Sequence, residues 1–519
     1  MSGDRHARPF RRRATPAGGT GMSPARLDAR TLIDTFLDRG TWRSWDAPPV
    51  DPVLPGSGYS EELAAVRAKT GYDESVITGE GHLDGRRVAI VACEFSFLAG
   101  SIGVAAAERL TAAVERATAE RLPLLAAPAS GGTRMQEGAV AFAQMVKITA
   151  AVAAHRAAGL PYVVYLRHPT TGGVFASWGS LGHVTAAEPG ALIGFLGPRV
   201  FESLHGYPFP EGVQVAENLF AHGLIDAVVS AEKAREVAAR ALAVLCAPRE
   251  GLEPGPEPEE EIPPIGAWDA ISRSRRDDRP GVRALLKLGA SDVTPLNGTG
   301  EGENDPGLLL ALARFGQVPA LVLGQDRSRR RIVAPFGPAG LRVARRGMRL
   351  ASELRLPLVT VIDTAGAALS KAAEEGGLAA EIARSLADLV MLDAPTVCLL
   401  MGEGAGGGAL ALLPADRVLC AQHGWLSPLS PEGASALLYR SVDFAPEIAA
   451  AQGVKSTDLR RDGVVDRIIP ELPDAAYEPE AFCRRVSRAL EYELAGLLNQ
   501  APADRLAARL ARYRRLGTG

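Results

Sequence analysis

The sequence repeats one series of motifs at a nearly constant separation, and this repeat constrains the fold more than any other feature. A Leu-Pro-Leu step at 122–124 recurs at 356–358, a separation of 234 residues. Gly131 recurs as Gly366 and Gly172 as Gly406, at separations of 235 and 234 residues. Three separate markers with a shared offset are hard to obtain by chance. The chain is therefore predicted to contain two copies of one fold.

A segment rich in proline and glutamate separates the two copies. Residues 248–264 read Pro-Arg-Glu-Gly-Leu-Glu-Pro-Gly-Pro-Glu-Pro-Glu-Glu-Glu-Ile-Pro-Pro. Proline restricts the backbone and the acidic side chains repel one another, so this composition predicts an extended, solvated linker. It divides the chain into an N-terminal tail at 1–27, a first domain at 28–247 and a second domain at 265–519.

The composition limits the classes of function. At 519 residues the chain is long enough for two domains with separate cores. A net charge of −3 gives no indication of a nucleic-acid partner. The five cysteines lie far apart in sequence, so no metal-binding spacing is present, and they are predicted to be core or incidental thiols in a reducing cytoplasm. They are Cys93, Cys246, Cys398, Cys420 and Cys483.

The N-terminus is rich in arginine between positions 5 and 13, and no apolar segment follows. Residues 1–27 are therefore predicted to be a disordered tail rather than a targeting signal, with Met22 as an alternative start. No apolar run reaches the roughly 18–20 residues that a membrane-spanning helix needs. A cytoplasmic protein is expected.

Each copy alternates short apolar runs with segments of helical periodicity. The first copy is predicted to have strands at 87–93, 123–127 and 162–166, a helix at 138–158, a small-residue helix after Gly173 that runs through Ser177 and Leu181, and a strand pair near 184–186 and 191–195. The second is predicted to have strands at 358–362, 396–401 and 417–421 and a helix near 382–390. Each copy has a similar sequence segment near its end, at 222–229 and at 462–469. An amphipathic helix is predicted after residue 475. Repeated strand–turn–helix units predict an α/β fold with sheets flanked by helices.

Two strands in each copy end in turns of small residues. Because glycine has no Cβ, such a turn lets the backbone approach a ligand closely. A helix that starts there leaves its first N–H groups without internal partners. Two neighbouring turns can direct N–H groups at one oxygen, and each donor stabilises an oxyanion by about 3–4 kcal/mol. A plain tight turn is the alternative for any one Gly-Gly pair, but the repeated offsets favour oxyanion-binding sites.

These motifs resemble the two subunits of bacterial acetyl-CoA carboxylase carboxyltransferase, fused in the order β then α. The run Ser-Gly-Gly-Thr-Arg-Met-Gln-Glu-Gly at 130–138 resembles the β-subunit signature, and residues 170–174 and 187–200 look like the same subunit. Residues 402–409 and 429–434 resemble the α subunit. The resemblance extends over nearly the whole chain, from 30 to 247 and from 265 to 475.

The resemblance implies two tandem crotonase-like (ClpP/crotonase) domains of repeated ββα units, which pair face to face so that acyl-CoA and carboxybiotin meet between them. In this family carboxybiotin releases CO2, the biotin ureido nitrogen takes the α-proton of the acyl-CoA, and the resulting enolate attacks CO2. One oxyanion hole is implied for the thioester enolate and another for the ureido oxygen. The first is assigned to Gly131, Gly132, Gly172 and Gly173, and the second to Ala365, Gly366, Gly406 and Gly407.

Partners and cofactors follow from the same resemblance. The chain has no Met-Lys-Met biotinylation motif and no nucleotide-binding glycine loop, so a separate biotin carboxyl carrier protein and biotin carboxylase are expected. Biotin is the expected cofactor, no metal is expected, and the chain is expected to form a homodimer or higher homo-oligomer. Two features depart from the family pattern. No cysteine precedes Cys93, so the zinc ribbon of many β subunits is missing, and the Tyr-Pro of the α-subunit turn is absent from 364–371.

Four arginines are candidate substrate-binding residues: Arg134, Arg327, Arg329 and Arg330. The basic run at 327–331 could bind the phosphates of CoA, because guanidinium groups suit phosphate geometry, and a solvated loop is the alternative. Arg134 either contacts substrate or forms an internal salt bridge with Glu137. His183 is predicted to be a satisfied core histidine rather than an acid or base.

The sequence favours transfer of a carboxyl group from carboxybiotin to acetyl-CoA or a related acyl-CoA, giving malonyl-CoA within an ATP-dependent complex of fatty acid biosynthesis. Two alternatives remain. A decarboxylase of malonyl or methylmalonyl thioesters could use the same oxyanion holes. A catalytically weak scaffold in a carboxylase assembly is suggested by the missing Tyr-Pro.

Overall fold

The computed structural model describes residues 27–53, 56–258, 261–329 and 335–517. In the first half of the chain the strands are β1 (Arg43–Ser44), β2 (Val76–Leu83), β3 (Arg86–Cys93), β4 (Leu124–Ala127), β5 (Tyr162–Leu166), β6 (Thr170–Thr171), β7 (Val184–Ala187), β8 (Ile193–Gly194) and β9 (Ala227–Val228). The helices are α1 (Ala29–Phe36), α2 (Gly58–Thr70), α3 (Val104–Ala119), α4 (Gly138–Ala157), α5 (Gly172–Phe175), α6 (Pro198–His205), α7 (Ala216–Ala221) and α8 (Ala231–Leu245).

In the second half the strands are β10 (Ser291–Leu296), β11 (Leu308–Phe315), β12 (Val318–Gln325), β13 (Leu358–Thr364), β14 (Thr396–Gly404), β15 (Arg417–Ala421) and β16 (Arg467–Ile469). The helices are α9 (Ala267–Ser274), α10 (Val282–Gly289), α11 (Pro338–Leu354), α12 (Lys371–Glu375), α13 (Leu378–Val390), α14 (Gly406–Leu410), α15 (Pro431–Tyr439), α16 (Ala445–Ala451), α17 (Ser456–Arg461), α18 (Pro479–Leu498) and α19 (Pro502–Arg515).

Each half contains a seven-stranded sheet of the same design. The strand orders are β1-β2-β3-β4-β5-β7-β9 and β10-β11-β12-β13-β14-β15-β16. The first three strands of each sheet are antiparallel and the later ones parallel. The register repeats as well, since Ala89 pairs with Leu124 in one sheet and Leu321 with Leu358 in the other. The predicted duplication of one α/β fold is confirmed.

The two copies correspond down to single hydrogen bonds at the last sheet strand. The Thr185 N–H donates to the Asp226 carboxylate at 2.8 Å, and the Asp226 N–H donates back to the Thr185 carbonyl at 2.7 Å. In the second half the Val418 N–H donates to the Asp466 carboxylate at 2.7 Å, and the Asp466 N–H donates to the Val418 carbonyl at 2.8 Å. The similar segments at 222–229 and 462–469 therefore form the equivalent edge strands of the two sheets.

A continuous apolar core connects the two halves. One cluster of buried side chains contains Leu32 and Leu242 from the first half and Leu323 and Leu400 from the second. Helix α8 supplies several of these residues and packs against β10 and β11. All five cysteines are free and four are fully buried, as expected of core thiols. Burial raises the pKa of the Cys93 thiol to about 11.

The proline-rich segment forms no helix or strand within 248–258 and 261–264, as predicted for an extended linker. It is not solvated throughout, because it packs against the second half. Arg467 Nη2 lies 3.0 Å from a Glu257 carboxylate oxygen, and Gln422 Nε2 donates to the Pro263 carbonyl at 3.0 Å. The domain boundaries drawn from this segment stay a prediction.

Several elements differ from those predicted. The helix expected from Gly173 through Leu181 consists of the single turn α5 and a 3₁₀ turn at Trp178–Ser180. Strand β8 pairs with β6 in a separate two-stranded sheet rather than with β7. Strand β14 continues to Gly404, where the sequence indicated a turn. The final amphipathic helix is confirmed as α18, with Phe482, Val486 and Leu490 buried.

Helix α4 confirms the predicted helix but exposes much of its apolar surface. Ile148 and Val152 are buried in the core cluster that also contains Leu124 of β4, whereas Phe142 is 68% and Val146 is 74% exposed. Met135–Ala157 is by length and composition apolar enough to cross a membrane, a property that core helices of soluble proteins share, and charged residues such as Lys147 interrupt its apolar run, as the sequence indicated. The exposed residues lie on the same helix that packs on α3, next to the turn at 130–137.

Candidate active site

Two turns and two short helices carry the glycines selected from the sequence. In the first half the turn follows β4 and the helix is α5, and in the second the turn follows β13 and the helix is α14. We call residues 130–133 together with 171–174 the first cradle. Residues 364–367 together with 405–408 are the second cradle. The N–H group of Thr171 donates to the Ser130 carbonyl and that of Ala405 to the Thr364 carbonyl, so turn and helix are joined in the same way in both.

A hydroxyl group closes the turn in each cradle. The Gly132 N–H donates to Ser130 Oγ at 3.0 Å, and the Gly366 N–H donates to Thr364 Oγ1 at 3.1 Å. The φ angles of Gly132 and Gly366 are +109° and +138°, a region that residues with a Cβ rarely adopt. These two amides are therefore already bonded within the turn, and the glycines provide space instead of hydrogen-bond donors.

Each short helix begins at a glycine in the left-handed region. Gly172 has a φ of +62° and Gly406 a φ of +67°. Their N–H groups donate to the Phe195 carbonyl at 2.9 Å and to the Ser427 carbonyl at 3.0 Å, respectively. The following amides, Gly173 and Gly407, belong to the first turn of a helix and so have no intrahelical acceptor.

In the first cradle the Gly173 amide lies beside the space that Gly132 leaves open. A Cβ added to Gly132 would lie 3.7 Å from the Gly173 nitrogen and 3.6 Å from the Gly172 Cα. A Cβ added to Gly173 would lie 3.1 Å from Thr133 Oγ1 and 3.2 Å from Met145 Cγ. The Gly173 backbone is thus packed on one side and approachable from the side of Gly132.

In the second cradle the helix start is packed in the same way. A Cβ added to Gly407 would lie 2.8 Å from Ile382 Cδ1, whereas a Cβ added to Gly366 would meet nothing within 4 Å. A Cβ added to Gly408 would lie 3.1 Å from the Ala367 nitrogen, so the turn and the helix meet closely. The second cradle therefore combines a tightly packed helix start with an open turn.

The eight predicted residues fall into two groups. In one group the backbone N–H donates to an acceptor within the fold, and in the other it does not. Gly131 donates to the Ala99 carbonyl at 2.9 Å, and Gly132, Gly172, Gly366 and Gly406 also donate within the fold. For Gly173, Ala365 and Gly407 the described part of the chain contains no acceptor. The structure therefore brings the predicted glycines together in two equivalent sites and leaves amide donors available in each.

The comparison with known families decides the assignment. The carboxyl transferase domain matches residues 52–505. The chain belongs to the carboxyl transferase family. Named relatives align over almost the full length of this carboxyl transferase chain. It is 61% identical over 493 residues to the probable biotin-dependent acyl-coenzyme A carboxylase beta3 subunit of Mycobacterium tuberculosis, covering 95% of this chain and 99% of that protein. It is 39% identical over 520 residues to the acetyl-coenzyme A carboxylase carboxyl transferase subunits beta/alpha of Salinispora tropica, covering 95% and 91%.

Solved structures show the same fold. A crystal structure of transcarboxylase 12S, a hexamer with methylmalonyl-coenzyme A and methylmalonic acid bound, matches with a TM-score of 0.71 at 21% identity over 90% of this chain and 89% of that one. A single-chain, multi-domain long-chain acyl-CoA carboxylase matches with a TM-score of 0.67 at 19% identity, over 89% of this chain and 46% of that one. The predicted fold class of two tandem crotonase-like units is confirmed.

Arg134 of this carboxyl transferase chain is buried next to the first cradle and bonds to the protein itself. Its side chain is 1% exposed and forms a two-point ion pair with the buried Glu74. Glu137 accepts a hydrogen bond from the Tyr59 hydroxyl at 2.6 Å and from the Val104 N–H at 2.6 Å. Burial alone would lower the pKa of Arg134, but the ion pair with Glu74 raises it. Of the two predicted roles, the structure favours the internal salt bridge over substrate contact.

Arg327 likewise bonds to groups of the protein itself. Its guanidinium lies 3.1 Å from an Asp363 carboxylate oxygen and donates to the Ser274 and Arg276 carbonyls at 3.0 and 2.8 Å. With 7% of its side chain exposed, it is positioned to support the turn after β13 rather than to bind CoA phosphates. Arg330 lies outside the described residues, and the side chain of Arg329 is not described.

The buried histidines are structural. His183 accepts a hydrogen bond from the Tyr162 N–H at Nδ1 (3.0 Å), and its Nε2 lies 3.3 Å from a Glu353 oxygen, so it is a buried core residue, as predicted. Burial lowers its pKa. His423, Glu471 and Asp474 lie close enough to hold a metal ion, but Arg279 already forms a two-point ion pair with Glu471. Although burial would raise the pKa of Glu471, Arg279 holds it well below its usual range.

Sequence reasoning missed the side chains that hold the cradles in shape. Ser130 and Thr364 each precede the open glycine by two residues, and this shared spacing was a signal that could have been used. Asp363, which accepts from the Glu403 N–H at 3.3 Å, and Gln325, at the end of β12, had no visible signal. Their partners are 38 to 83 residues away in sequence.

Proposed function

We propose that this chain is the carboxyltransferase component of a biotin-dependent acyl-CoA carboxylase. It would move the carboxyl group from carboxybiotin, on a separate carrier protein, to acetyl-CoA or a related acyl-CoA. The observation that carries the proposal is the presence of two equivalent cradles, each with an amide donor that the protein itself does not use. Carboxyl transfer of this kind needs two oxygens to be stabilised, and the relatives named acyl-CoA and acetyl-CoA carboxylase subunits support the same chemistry.

The first cradle fits the thioester oxygen of the acyl-CoA. An enolate forms when the α-proton leaves, and its negative charge falls on that oxygen. The Gly173 N–H would donate to it, and Gly132 would leave the room that an oxygen about 2.7–3.1 Å from the nitrogen requires. An amide fixed by packing against Thr133 and Met145 needs little reorganisation as the charge develops.

The second cradle fits the ureido oxygen of biotin. Carboxybiotin, when bound, supplies the CO2 and a basic ureido nitrogen. The Gly407 N–H, and the Ala365 N–H in the adjoining turn, would donate to the ureido oxygen and stabilise the charge left on the ring when its carboxyl group departs. Because the ureido nitrogen would take the α-proton of the acyl-CoA, the proposed chemistry does not require a side-chain acid or base.

We infer a homo-oligomer that works with a separate biotin carboxyl carrier protein and biotin carboxylase in the cytoplasm. Large apolar side chains are exposed in both halves, among them Phe142 and Val146 on α4 and Leu437 and Leu438 on α15. Several large apolar side chains exposed on one helix are typical of an interaction site. In this proposal, two domains, 28–247 and 265–519, contribute the acyl-CoA and biotin sites.

The second cradle also bears on the alternative of an inactive scaffold. Although Tyr-Pro is missing from its turn, Thr364 closes Gly366 as Ser130 closes Gly132, and Gly407 is placed as Gly173 is. This equivalence supports two working sites rather than one.

The test is the reverse half-reaction with free biotin. Purified protein is mixed with malonyl-CoA, methylmalonyl-CoA or ethylmalonyl-CoA, with and without biotin, and release of the corresponding acyl-CoA is followed. Biotin-dependent release supports the carboxyltransferase, and the preferred thioester identifies the acyl group. Equal release without biotin would show a decarboxylase, and no release with any thioester would support the scaffold.

A further inference from the structure

One buried side chain connects the two parts of the second cradle. Gln325 ends β12 and is 2% exposed. Its Oε1 accepts a hydrogen bond from the Asp363 N–H at 3.0 Å, and its Nε2 donates to the Gly408 carbonyl at 2.8 Å. Asp363 directly precedes Thr364, whose hydroxyl closes the turn, and Gly408 directly follows Gly407. A single amide group therefore bridges the turn and the helix start.

The Gly408 carbonyl needs this partner. Helix α14 is only five residues long, and the Leu412 N–H, which would reach Gly408 in a longer helix, donates to the Ala409 carbonyl at 3.1 Å. Without Gln325 the carbonyl would be buried without its strongest hydrogen bond, a situation that folded proteins avoid. The bond therefore fixes the backbone of Gly408, the residue that directly follows Gly407.

The first cradle has no such bridge. The sheet registers align β3 with β12 so that Cys93 occupies the position of Gln325. A thiol is too short and too weak a donor for this role. In α5 the equivalent carbonyl, that of Val174, accepts from the N–H and the hydroxyl of Ser177, at 3.4 Å each. The bridging amide is thus particular to the second cradle.

We propose that Gln325 is a positioning residue of the second cradle, which sets the direction of the Gly407 amide relative to the turn after β13. The inference rests on the proposed function, because it assigns that amide to the ureido oxygen of biotin. Gln325 does not touch biotin in this proposal. It acts through the two backbone segments that do.

The experiment compares Gln325→Met and Gln325→Glu with Gln422→Met in the biotin-dependent release assay. Gln422 is a matched control because it is also buried and also bridges two backbone groups, the Pro263 carbonyl at 3.0 Å and the Glu471 N–H at 2.9 Å, away from the cradles. Methionine keeps the length of the side chain and removes both bonds. Glutamate keeps the acceptor for Asp363 and replaces the donor to Gly408.

We expect both Gln325 variants to lower kcat/KM for free biotin by about 10- to 100-fold, because a displacement of about 1 Å can cost that much. The KM for malonyl-CoA should change by less than about 2-fold, since the first cradle is untouched. Gln422→Met should lower the melting temperature by about as much as Gln325→Met does. It should leave kcat/KM for biotin and the KM for malonyl-CoA near those of the wild type.

Three results would oppose the inference. Gln325 variants with unchanged kcat/KM for biotin would overturn it, and so would an equal loss in the Gln422 variant, which would indicate a general effect on stability. A wild-type protein that shows no biotin-dependent release refutes the proposed function itself, and the role of Gln325 with it.

Discussion

Replacement of Gly132 by alanine tests the first cradle most directly. The added Cβ would lie 3.7 Å from the Gly173 nitrogen and 3.5 Å from the Thr171 carbonyl oxygen, so it causes no severe clash. It would nevertheless occupy the space that a bound oxygen needs at about 2.7–3.1 Å from that nitrogen. Loss of one oxyanion donor costs about 2.7–4 kcal/mol, or about 10²–10³ in kcat.

Gly132→Ala should lower the free energy of unfolding by less than it raises the activation free energy, so the two effects can be measured separately. The φ of Gly132 is +109°, and forcing an L-residue into a left-handed conformation costs about 1–2 kcal/mol. At about 2–4 °C per kcal/mol for domains of this size, the melting temperature should fall by only a few degrees. The variant should therefore be folded at 25 °C and nearly inactive.

Gly190→Ala is the matched control. Gly190 also has a positive φ, +68°, and an added Cβ would meet nothing within 4 Å. We expect a comparable fall in melting temperature with kcat unchanged for release of acyl-CoA from malonyl-CoA in the presence of biotin. If Gly132→Ala keeps kcat within about 3-fold of wild type, far from the loss expected for a donor, the assignment of the Gly173 amide is refuted.

Three further predictions concern other parts of the structure. Ser130→Ala should lower kcat/KM for malonyl-CoA, and Thr364→Val should lower kcat/KM for biotin, because each variant removes the hydroxyl that closes one turn. Steady-state kinetics with each substrate varied in turn checks this. The assignment of the two cradles is wrong if both variants affect the same constant. Arg509→Met should destabilise the fold by about 3–5 kcal/mol in urea denaturation, because it leaves the buried Asp416 without its two-point partner, whereas Arg514→Met, exposed on the same helix, should not. Hydrogen bonds from His183 and ion pairing with Arg156 lower the pKa of Glu353 to about 2 from its ordinary value of 4.5, so the stability that they provide is present above 4.5 and lost as the pH falls towards 2. The urea midpoint of Glu353→Gln should be less dependent on pH in that window, and an unchanged dependence would contradict this account.

The fold could be predicted from the sequence because its signals are local and repeated. Apolar runs such as 162–166 and 396–401 identify parallel strands, and the constant offset of 234–235 residues pairs each with its counterpart. The site was predicted only as a set of positions. Which amides are available depends on distant acceptors, as when Ala99 takes the Gly131 N–H and Phe195 that of Gly172.

The charged candidates could not be resolved from the sequence for the same physical reason. A buried arginine needs a partner, and the partner of Arg134 is Glu74, 60 residues earlier in the chain. The local pair with Glu137, three residues away, was visible, but Nη1 of Arg134 lies 3.4 Å from that carboxylate and 3.0 Å from that of Glu74. Sequence spacing thus indicated the weaker contact of the two.

Helix α19 gives the second copy an ion pair like the one that the first copy receives from the second. In the first copy, Asp226 at the sheet edge is paired by Arg346 of α11, which the second copy supplies, at 2.9 and 3.1 Å. In the second copy the equivalent residue, Asp466, also has an arginine partner from another element. Helix α19 provides it, since Arg512 pairs with Asp466. The same helix places Arg509 against Asp416 and the carbonyls of Leu392 and Ala394 at the end of α13. Helix α19 therefore places its arginines beside the last sheet strand and on the segment after α13 in the half that carries the second cradle.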